Sequence, residues 1–190
     1  PDGGAFSETL DELRAGFAPI VRQFDLDWEL LPSNHQPKLL IAVSQGSHCL
    51  NDLLYRSQTR NLPVEVVGVV SNHPQLRELT EWHGVAYTHL PVTPDTQEEQ
   101  EEKLFSLFLE QEADYLVLAR YMQVLSPELV ERLAGRCINI HHSFLPSFKG
   151  ARPYRSAHQR GVKLIGATAH FVTSDLDEGP IIEQDVERVD

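Results

Sequence analysis

LLIAVS, residues 39 to 44, is the first of five short apolar runs that decide the fold. The other four are VEVVGVVSN (64–72), VAYTHLPV (85–92), DYLVLA (114–119) and RCINIHH (136–142). Short runs of mostly apolar residues are typical of strands that are buried on both faces of a sheet. Because helical patterns lie between these runs, we expect strands and helices to alternate and to form a mostly parallel α/β sheet.

The helical patterns lie near residues 47–59, 74–83, 96–112 and 126–134. Ser47, Thr96 and Ser126 precede three of these segments and are the predicted N-caps, because a hydroxyl can accept a hydrogen bond from a free N–H of the first turn. Pro153 is predicted at the first position of a later helix, where a missing N–H is tolerated.

Two further apolar runs follow Gly161 and are connected differently. IGATAHFV (165–172) and IIEQDV (181–186) are separated only by TSDLDEGP (173–180). This connection is too short for a crossover helix. We therefore expect the two strands to pair antiparallel at one end of the sheet.

The first 31 residues carry a separate pattern. Their apolar residues recur at spacings of four and three, which predicts one amphipathic helix through Phe6, Leu10, Leu13, Phe17, Ile20 and Phe24. The alternation of Leu26, Trp28 and Leu30 predicts a strand after it. A segment of about 30 residues buries too little surface to fold alone, so it needs an upstream partner or the following domain. Prolines and polar residues make 32–37 the predicted linker.

Composition excludes several classes of protein. The chain has 190 residues, 41% of them hydrophobic, and a net charge of -12, which suits one main domain and argues against nucleic acid as a partner. No run approaches the roughly 18 apolar residues of a membrane span, and the first residues lack a secretory signal pattern. Cys49 and Cys137 are expected to be free thiols. These features predict a cytoplasmic protein with a small-molecule substrate.

Polar side chains end the fifth run, at the edge of the sheet where open α/β folds bind ligands. Alternation in a strand places Asn139 and His141 on one face. The amide of Asn139 can donate to an oxyanion while staying neutral, and His141 can carry or move a proton near pH 7. A strand end whose polar groups satisfy the loop backbone explains this pair as well.

A second polar cluster follows the next run. His170 lies near its end, and the turn after it carries Asp175, Asp177 and Glu178. A carboxylate at this turn can orient His141 or an attacking water. Ordinary turn chemistry explains the same residues, because Asp side chains bond to nearby backbone in turns.

Metal and nucleotide sites are competing interpretations. Zinc bound by His141, His170 and Asp177 is geometrically conceivable, although the sequence has neither an H-E-x-x-H helix nor a calcium-loop pattern. The loop after the first strand has the single glycine Gly46, so neither a P-loop nor a dinucleotide fingerprint is present. We expect no metal and no cofactor.

The sequence that contains the two polar clusters resembles that of a known family. INIHHSFLPSFKGARPYRSAHQRGVKLIGATAHFVTSDLDEGPIIEQDV, residues 138–186, resembles the core of the folate-dependent formyltransferase and deformylase superfamily. That superfamily has a Rossmann-like sheet and a catalytic Asn, His and Asp. Its Asn-x-His pattern falls on Asn139 and His141, and its Asp, seven residues after the histidine of the H-F-V strand, falls on Asp177.

The resemblance also implies contacts with a folate. LARYMQVLSP (118–127) is similar to the family's pterin-contacting segment, and the loop from 174 to 179 is similar to its folate-covering loop. Lys149 and Arg152 are candidates for contacting the glutamate tail, with a solvated helix face as the alternative. The implied substrate-binding residues are Met122, Gln123, Val124, Leu125, His170, Ser174, Asp175 and Gly179.

Within the superfamily, the chain is similar to the formyltetrahydrofolate deformylases from Lys38 onward, through VSQGSHCLNDLL (43–54), LARYMQVLSP and HHSFLPSFKGARPY (141–154). Glycinamide ribonucleotide formyltransferases have a glycine-rich turn after the first strand, which holds the phosphate of the amine substrate, and usually a proline after the catalytic histidine. Here only Gly46 remains in that turn and His142 replaces the proline. Both departures favour water as the formyl acceptor.

The resemblance implies hydrolysis of formyltetrahydrofolate, with Asn139 and His141 stabilising an oxyanion and Asp177 orienting water and His141. A formyltransferase acting on an amine such as glycinamide ribonucleotide and a non-catalytic folate sensor are the alternatives. The resemblance also implies that residues 1–31 are a remnant of an N-terminal ACT domain, an α+β ligand-sensing module, and that 38–190 is a C-terminally incomplete catalytic domain. The resemblance further implies that the protein binds an amino-acid effector and assembles into a homo-oligomer.

Overall fold

The computed structural model describes residues 9–147 and 153–189 and divides the chain into two units, 1–36 and 37–190. In the first unit, helix α1 (Leu10–Phe24) begins with a capping box. The hydroxyl of Thr9 accepts from the backbone N–H of Glu12, and the Glu12 carboxylate accepts from the N–H of Thr9 at 2.7 Å. The predicted helix is confirmed from Leu10 onward, while Phe6 lies outside the described residues.

The strand predicted at residues 26–30 is wrong, because this segment forms neither helix nor strand. A strand needs backbone hydrogen bonds to a neighbouring strand, and the described part of the first unit offers none. The ring of Trp28 packs instead against Phe17, with the centroids 5.1 Å apart. The assignments of 1–31 to an ACT remnant and of 32–37 to a linker stay predictions.

A seven-stranded sheet forms the centre of the second unit. Its strands are β1 (Lys38–Val43), β2 (Glu65–Ser71), β3 (Tyr87–His89), β4 (Tyr115–Leu118), β5 (Cys137–His141), β6 (Leu164–Phe171) and β7 (Ile181–Arg188). The order across the sheet is β3-β2-β1-β4-β5-β6-β7. The first five strands are parallel, β6 is antiparallel to β5, and β7 is antiparallel to β6. The mostly parallel sheet with an antiparallel pair at its end is therefore confirmed.

The helices of the second unit are α2 (His48–Gln58), α3 (Arg77–Trp82), α4 (Gln97–Glu110), α5 (Pro127–Arg132) and α6 (Pro153–Gln159). Ser126 caps α5 as predicted, with its hydroxyl accepting from the N–H of Leu129 at 3.2 Å. The predicted caps at Ser47 and Thr96 are wrong. Both residues have a helical backbone rather than the extended one from which a cap side chain reaches the first turn. Over the described ranges, none of the helices has the length and apolar character needed to cross a membrane.

Apolar side chains pack on both faces of this sheet. In β1, five of the six residues are buried, as expected for a strand covered on both sides. One cluster includes Leu40 and Phe108, and the other includes Ile41 and Leu54. Successive side chains of β1 thus pack into the clusters on opposite faces of the sheet, as expected for a strand in the middle of the sheet.

Both cysteines are free thiols, as predicted. Cys137 is buried in the core, and this burial raises the pKa of its thiol to about 12. Burial also raises the pKa of the Cys49 thiol. Neither thiol is therefore activated as a nucleophile.

The strand order creates a crevice at the carboxyl ends of β1 and β4. The chain passes from β1 to β2 on one side and from β4 to β5 on the other, so the loops after β1 and β4 diverge. The N–H of Ser44 donates to the carbonyl of Arg120 at 3.2 Å, and the hydroxyl of Ser44 accepts from the N–H of Met122 at 2.9 Å. These bonds fix the segment after β4 against the end of β1.

Candidate active site

Antiparallel pairing of β5 and β6 brings the two predicted polar clusters together. Asn139 in β5 lies directly opposite His170 in β6, with Nδ2 of Asn139 3.1 Å from Nε2 of His170. Nδ1 of His170 lies 2.8 Å from the carbonyl oxygen of Phe171. A carbonyl oxygen only accepts, so Nδ1 carries a hydrogen and, in the neutral ring, Nε2 accepts from the Asn139 amide.

This contact fixes the orientation of the Asn139 carboxamide. The amide nitrogen has two hydrogens, and His170 accepts one of them. The second hydrogen can donate to a ligand in the adjoining cavity, which Asn139 lines. His170 therefore acts as a positioning residue for Asn139.

The loop between β6 and β7 brings a carboxylate to the histidines. Oδ1 of Asp177 lies 3.3 Å from Nδ1 of His141 and 3.8 Å from Nε2 of His170. The side chains of His141 and Asp177 are each 6% exposed, and that of His170 is 2% exposed. At 3.3 Å the His141 imidazole can donate to the carboxylate, which fixes the orientation of the ring.

The turn that carries Asp177 depends on a close backbone approach. Asp177 has a left-handed conformation with φ of 58°, which Asp and Asn adopt more readily than most other residues. Two residues later, a Cβ on Gly179 would lie 1.8 Å from the carbonyl oxygen of Phe171. Only glycine fits here, and the carbonyl it approaches is the acceptor of Nδ1 of His170.

We expect Gly179→Ala to lower the free energy of unfolding by about 1–3 kcal/mol, because the added methyl group must displace the loop or the end of β6. Thermal unfolding measures the change. Gly46→Ala is the matched control, since its Cβ would meet no atom closer than 3.6 Å. An equal melting temperature for Gly179→Ala and the unchanged protein would contradict this packing.

The polar side chains line a cavity of about 240 Å³ at the carboxyl ends of the central strands. The segment after β4 and the loop after β6 form its other walls. Gly179 does not line it, and Lys149 and Arg152 lie outside the described residues. Contact with a substrate stays a prediction for the residues brought together here: Met122, Gln123, Val124, Leu125, Asn139, His141, His170, Ser174, Asp175 and Asp177.

Other residues of the cavity were not named individually as contacts in the sequence prediction, although Arg120 and Tyr121 lie in the segment 118–127. Arg120 and Tyr121 line it, as does Thr173. Burial raises the pKa of Tyr121 to about 12, so its hydroxyl stays neutral. Arg120 directly follows the buried DYLVLA run, and this position at the carboxyl end of a strand was the signal that could have identified it.

The zinc alternative lacks the expected arrangement of ligands. The nearest ring nitrogens of His141 and His170 both face one oxygen of Asp177, whereas zinc ligands surround a common point. Between residues 9 and 147 and between 153 and 189, no three His, Cys, Asp or Glu side chains are grouped so that they could hold a metal ion. A reaction without metal stays a prediction.

The profile of the family described as formyl transferase matches residues 37–190, which is the whole second unit. The chain belongs to the formyl transferase family. A formyltetrahydrofolate deformylase of Corynebacterium sp. is 53% identical over 188 residues, covering 99% of this chain and 66% of the relative. This chain thus spans about two thirds of the length of that relative.

Solved structures in the formyl transferase family confirm the Rossmann-like fold. A formyltetrahydrofolate deformylase from Burkholderia mallei has a TM-score of 0.92 and 55% identity, covering 98% of this chain and 66% of that one. Glycinamide ribonucleotide transformylase 1 from Symbiobacterium toebii has a TM-score of 0.76 and 28% identity, covering 85% of this chain and 78% of that one. The higher values for the deformylase confirm the resemblance to that branch of the family.

Proposed function

We propose that this formyl transferase hydrolyses formyltetrahydrofolate to formate and tetrahydrofolate. The observation that carries the proposal is that the half-buried Asn139 and the buried His141 and Asp177 line one cavity, with the imidazole and the carboxylate 3.3 Å apart. A neutral donor, a titratable imidazole and a carboxylate are the groups that attack on a formyl carbon requires. The names of the similar deformylases from Corynebacterium and Burkholderia mallei support the same substrate.

In the proposed reaction, water attacks the formyl carbon and the electrons of the C=O double bond move to its oxygen. The amide of Asn139 and the protonated imidazole of His141 donate hydrogen bonds to this oxyanion. Asp177 holds His141 in place, orients the water and accepts a proton from it as the new C–O bond forms. When the C=O bond re-forms and the C–N bond breaks, Asp177 returns this proton to N10. Tetrahydrofolate leaves with formic acid, which loses its proton to solvent and becomes formate.

The segment from Met122 to Leu125 provides the proposed pterin site. Its backbone is held by the bond from the N–H of Met122 to the hydroxyl of Ser44, which in turn donates to Oδ1 of Asn72 at 2.7 Å. A ring bound along this backbone would bring N10 and its formyl group toward Asn139. On this proposal folate is the substrate, and neither a metal nor a nucleotide is needed.

Formate release from formyltetrahydrofolate by the full-length protein tests the proposal. We expect release at a rate that neither EDTA nor added glycinamide ribonucleotide changes. Formylation of the amine would instead assign a transferase, the second candidate, which the shared fold of the 28% identical transformylase favours. Activity lost in EDTA and restored by zinc would support the metal alternative, and folate binding without turnover would support a sensor.

We also propose that the full-length protein is cytoplasmic, forms a homo-oligomer and binds an amino-acid effector through its N-terminal module. The location rests on the sequence pattern, and the oligomer and the effector rest on the resemblance of residues 1–31 to part of an ACT domain. Sedimentation velocity of the full-length protein with and without a mixture of amino acids tests the last two. A monomer that is indifferent to every amino acid would contradict them.

A further inference from the structure

Arg120 lies at the floor of the crevice between β1 and β4. Among the described residues, it is the only Lys or Arg that lines the cavity. It follows Ala119, which is 0% exposed, and its carbonyl accepts from the N–H of Ser44 at 3.2 Å. The backbone of Arg120 is therefore fixed where the two loops diverge, in the same cavity as Asn139 and His141.

The backbone of Arg120 is in an unfavourable conformation. Its φ of 64° is left-handed, which glycine adopts readily and a residue with a long side chain does not. Such conformations persist where the surrounding structure imposes them, and they cluster at ligand sites. Arg60 is left-handed as well, so what distinguishes Arg120 is that its left-handed position lines the cavity.

The guanidinium has a donor without an acceptor. Nη1 of Arg120 is buried, and no side chain or backbone group of the described residues accepts a hydrogen bond from it. The guanidinium also forms no ion pair with Asp175 or Asp177, the carboxylates that line the same cavity. A buried donor of this kind is unfavourable unless a water or a ligand supplies the acceptor, so Nη1 is available to bind an acceptor that enters the cavity.

The location of Arg120 restricts what that acceptor can be. Met122 and Val124, further along the same segment, are 49% and 65% exposed, whereas Nη1 of Arg120 is buried. A ligand that reaches Nη1 must therefore be small enough to enter beneath the folate site. A negatively charged ligand suits the site best, because guanidinium groups pair most strongly with planar carboxylates through two parallel hydrogen bonds.

We propose that Arg120 binds a small planar carboxylate, and that this ligand is formate. Its two oxygens accept from two N–H groups of the guanidinium. The identity of formate as the natural ligand rests on the proposed hydrolysis, which releases it beside Asn139 and His141. The positive charge of Arg120 offsets the repulsion that a formate ion meets from Asp177 in the same cavity.

Titration of the full-length protein with ¹³C-formate, followed by NMR in the absence of folate, tests this site. Arg120→Gly removes the guanidinium and suits the left-handed backbone, so the fold is kept. The matched control is Arg60→Gly, because Arg60 is exposed, lies outside the cavity and has a φ of 58°. We expect Arg120→Gly to raise the Kd for formate about 10- to 100-fold, and Arg60→Gly to leave it unchanged.

Formate that binds Arg120→Gly as tightly as the unchanged protein, or that binds neither protein, would overturn the proposal. Arg120→Lys keeps the charge without the planar pair of donors, and we expect it to raise the Kd less than Arg120→Gly does. Because the titration needs no turnover, its result is separate from the proposed reaction. Arg120-dependent binding by a protein that releases no formate from formyltetrahydrofolate would support the site and overturn the hydrolysis.

Discussion

Asp177→Asn is expected to lower the rate of formate release by about 100- to 10,000-fold while the protein stays folded. Asparagine has the same shape as aspartate and also tolerates the φ of 58° at this position. Its neutral amide, however, can neither stabilise a protonated His141 nor accept a proton from the attacking water. The effect should appear in kcat, measured as formate released per enzyme.

Asp25→Asn is the matched control for this substitution. Asp25 is also a left-handed aspartate, with a φ of 49°, but it ends α1 and lines no part of the cavity. We expect its turnover and melting temperature to match those of the unchanged protein. If Asp177→Asn retains turnover within about threefold of the unchanged protein, Asp177 has no role in proton transfer.

Asn139→Ala should lower kcat by about 100- to 1000-fold, since it removes one donor from the proposed oxyanion site. The amide acts mainly on charge that develops in the transition state, so KM for formyltetrahydrofolate should change much less than kcat. The substitution also leaves Nε2 of His170 without the donor that lies 3.1 Å away. Steady-state kinetics over a range of folate concentrations separates the two parameters.

Asn51→Ala provides the comparison for Asn139→Ala, because Asn51 is exposed on α2 and does not line the cavity. Its kinetic parameters should be unchanged. A rise in KM for Asn139→Ala with an unchanged kcat would show that the amide binds the ground state only. The oxyanion role would then be wrong.

The sheet was predictable because its determinants are local. Uniformly apolar runs such as 39–44 and 114–119 indicate strands buried on both faces, and the short segment 173–180 permits only an antiparallel return. The strand predicted at 26–30 failed because pairing depends on a neighbour that local alternation does not reveal. The cap predicted at Thr96 failed for a related reason, since its hydroxyl contacts Thr93 instead.

The sequence indicated which residues form the candidate site, but not how their side chains contact one another. Alternation at a strand end brought Asn139 and His141 to attention, and the family resemblance singled out Asp177, whereas the contact of Asn139 with His170 depends on the register between β5 and β6. Arg120 was missed because its significance comes from a left-handed backbone and an unpaired Nη1. Neither property is encoded by the residues next to it alone.

The carbonyl of Phe171 joins the loop to the strand beneath it. It accepts from His170 and touches the backbone of Gly179, two residues beyond Asp177. If the loop lifts to admit a folate, Asp177 leaves His141. The same movement removes the packing around the carbonyl of Phe171, which sets the tautomer of His170. Substrate entry and assembly of the reactive site would then be a single event, and an open molecule would hold folate without hydrolysing it.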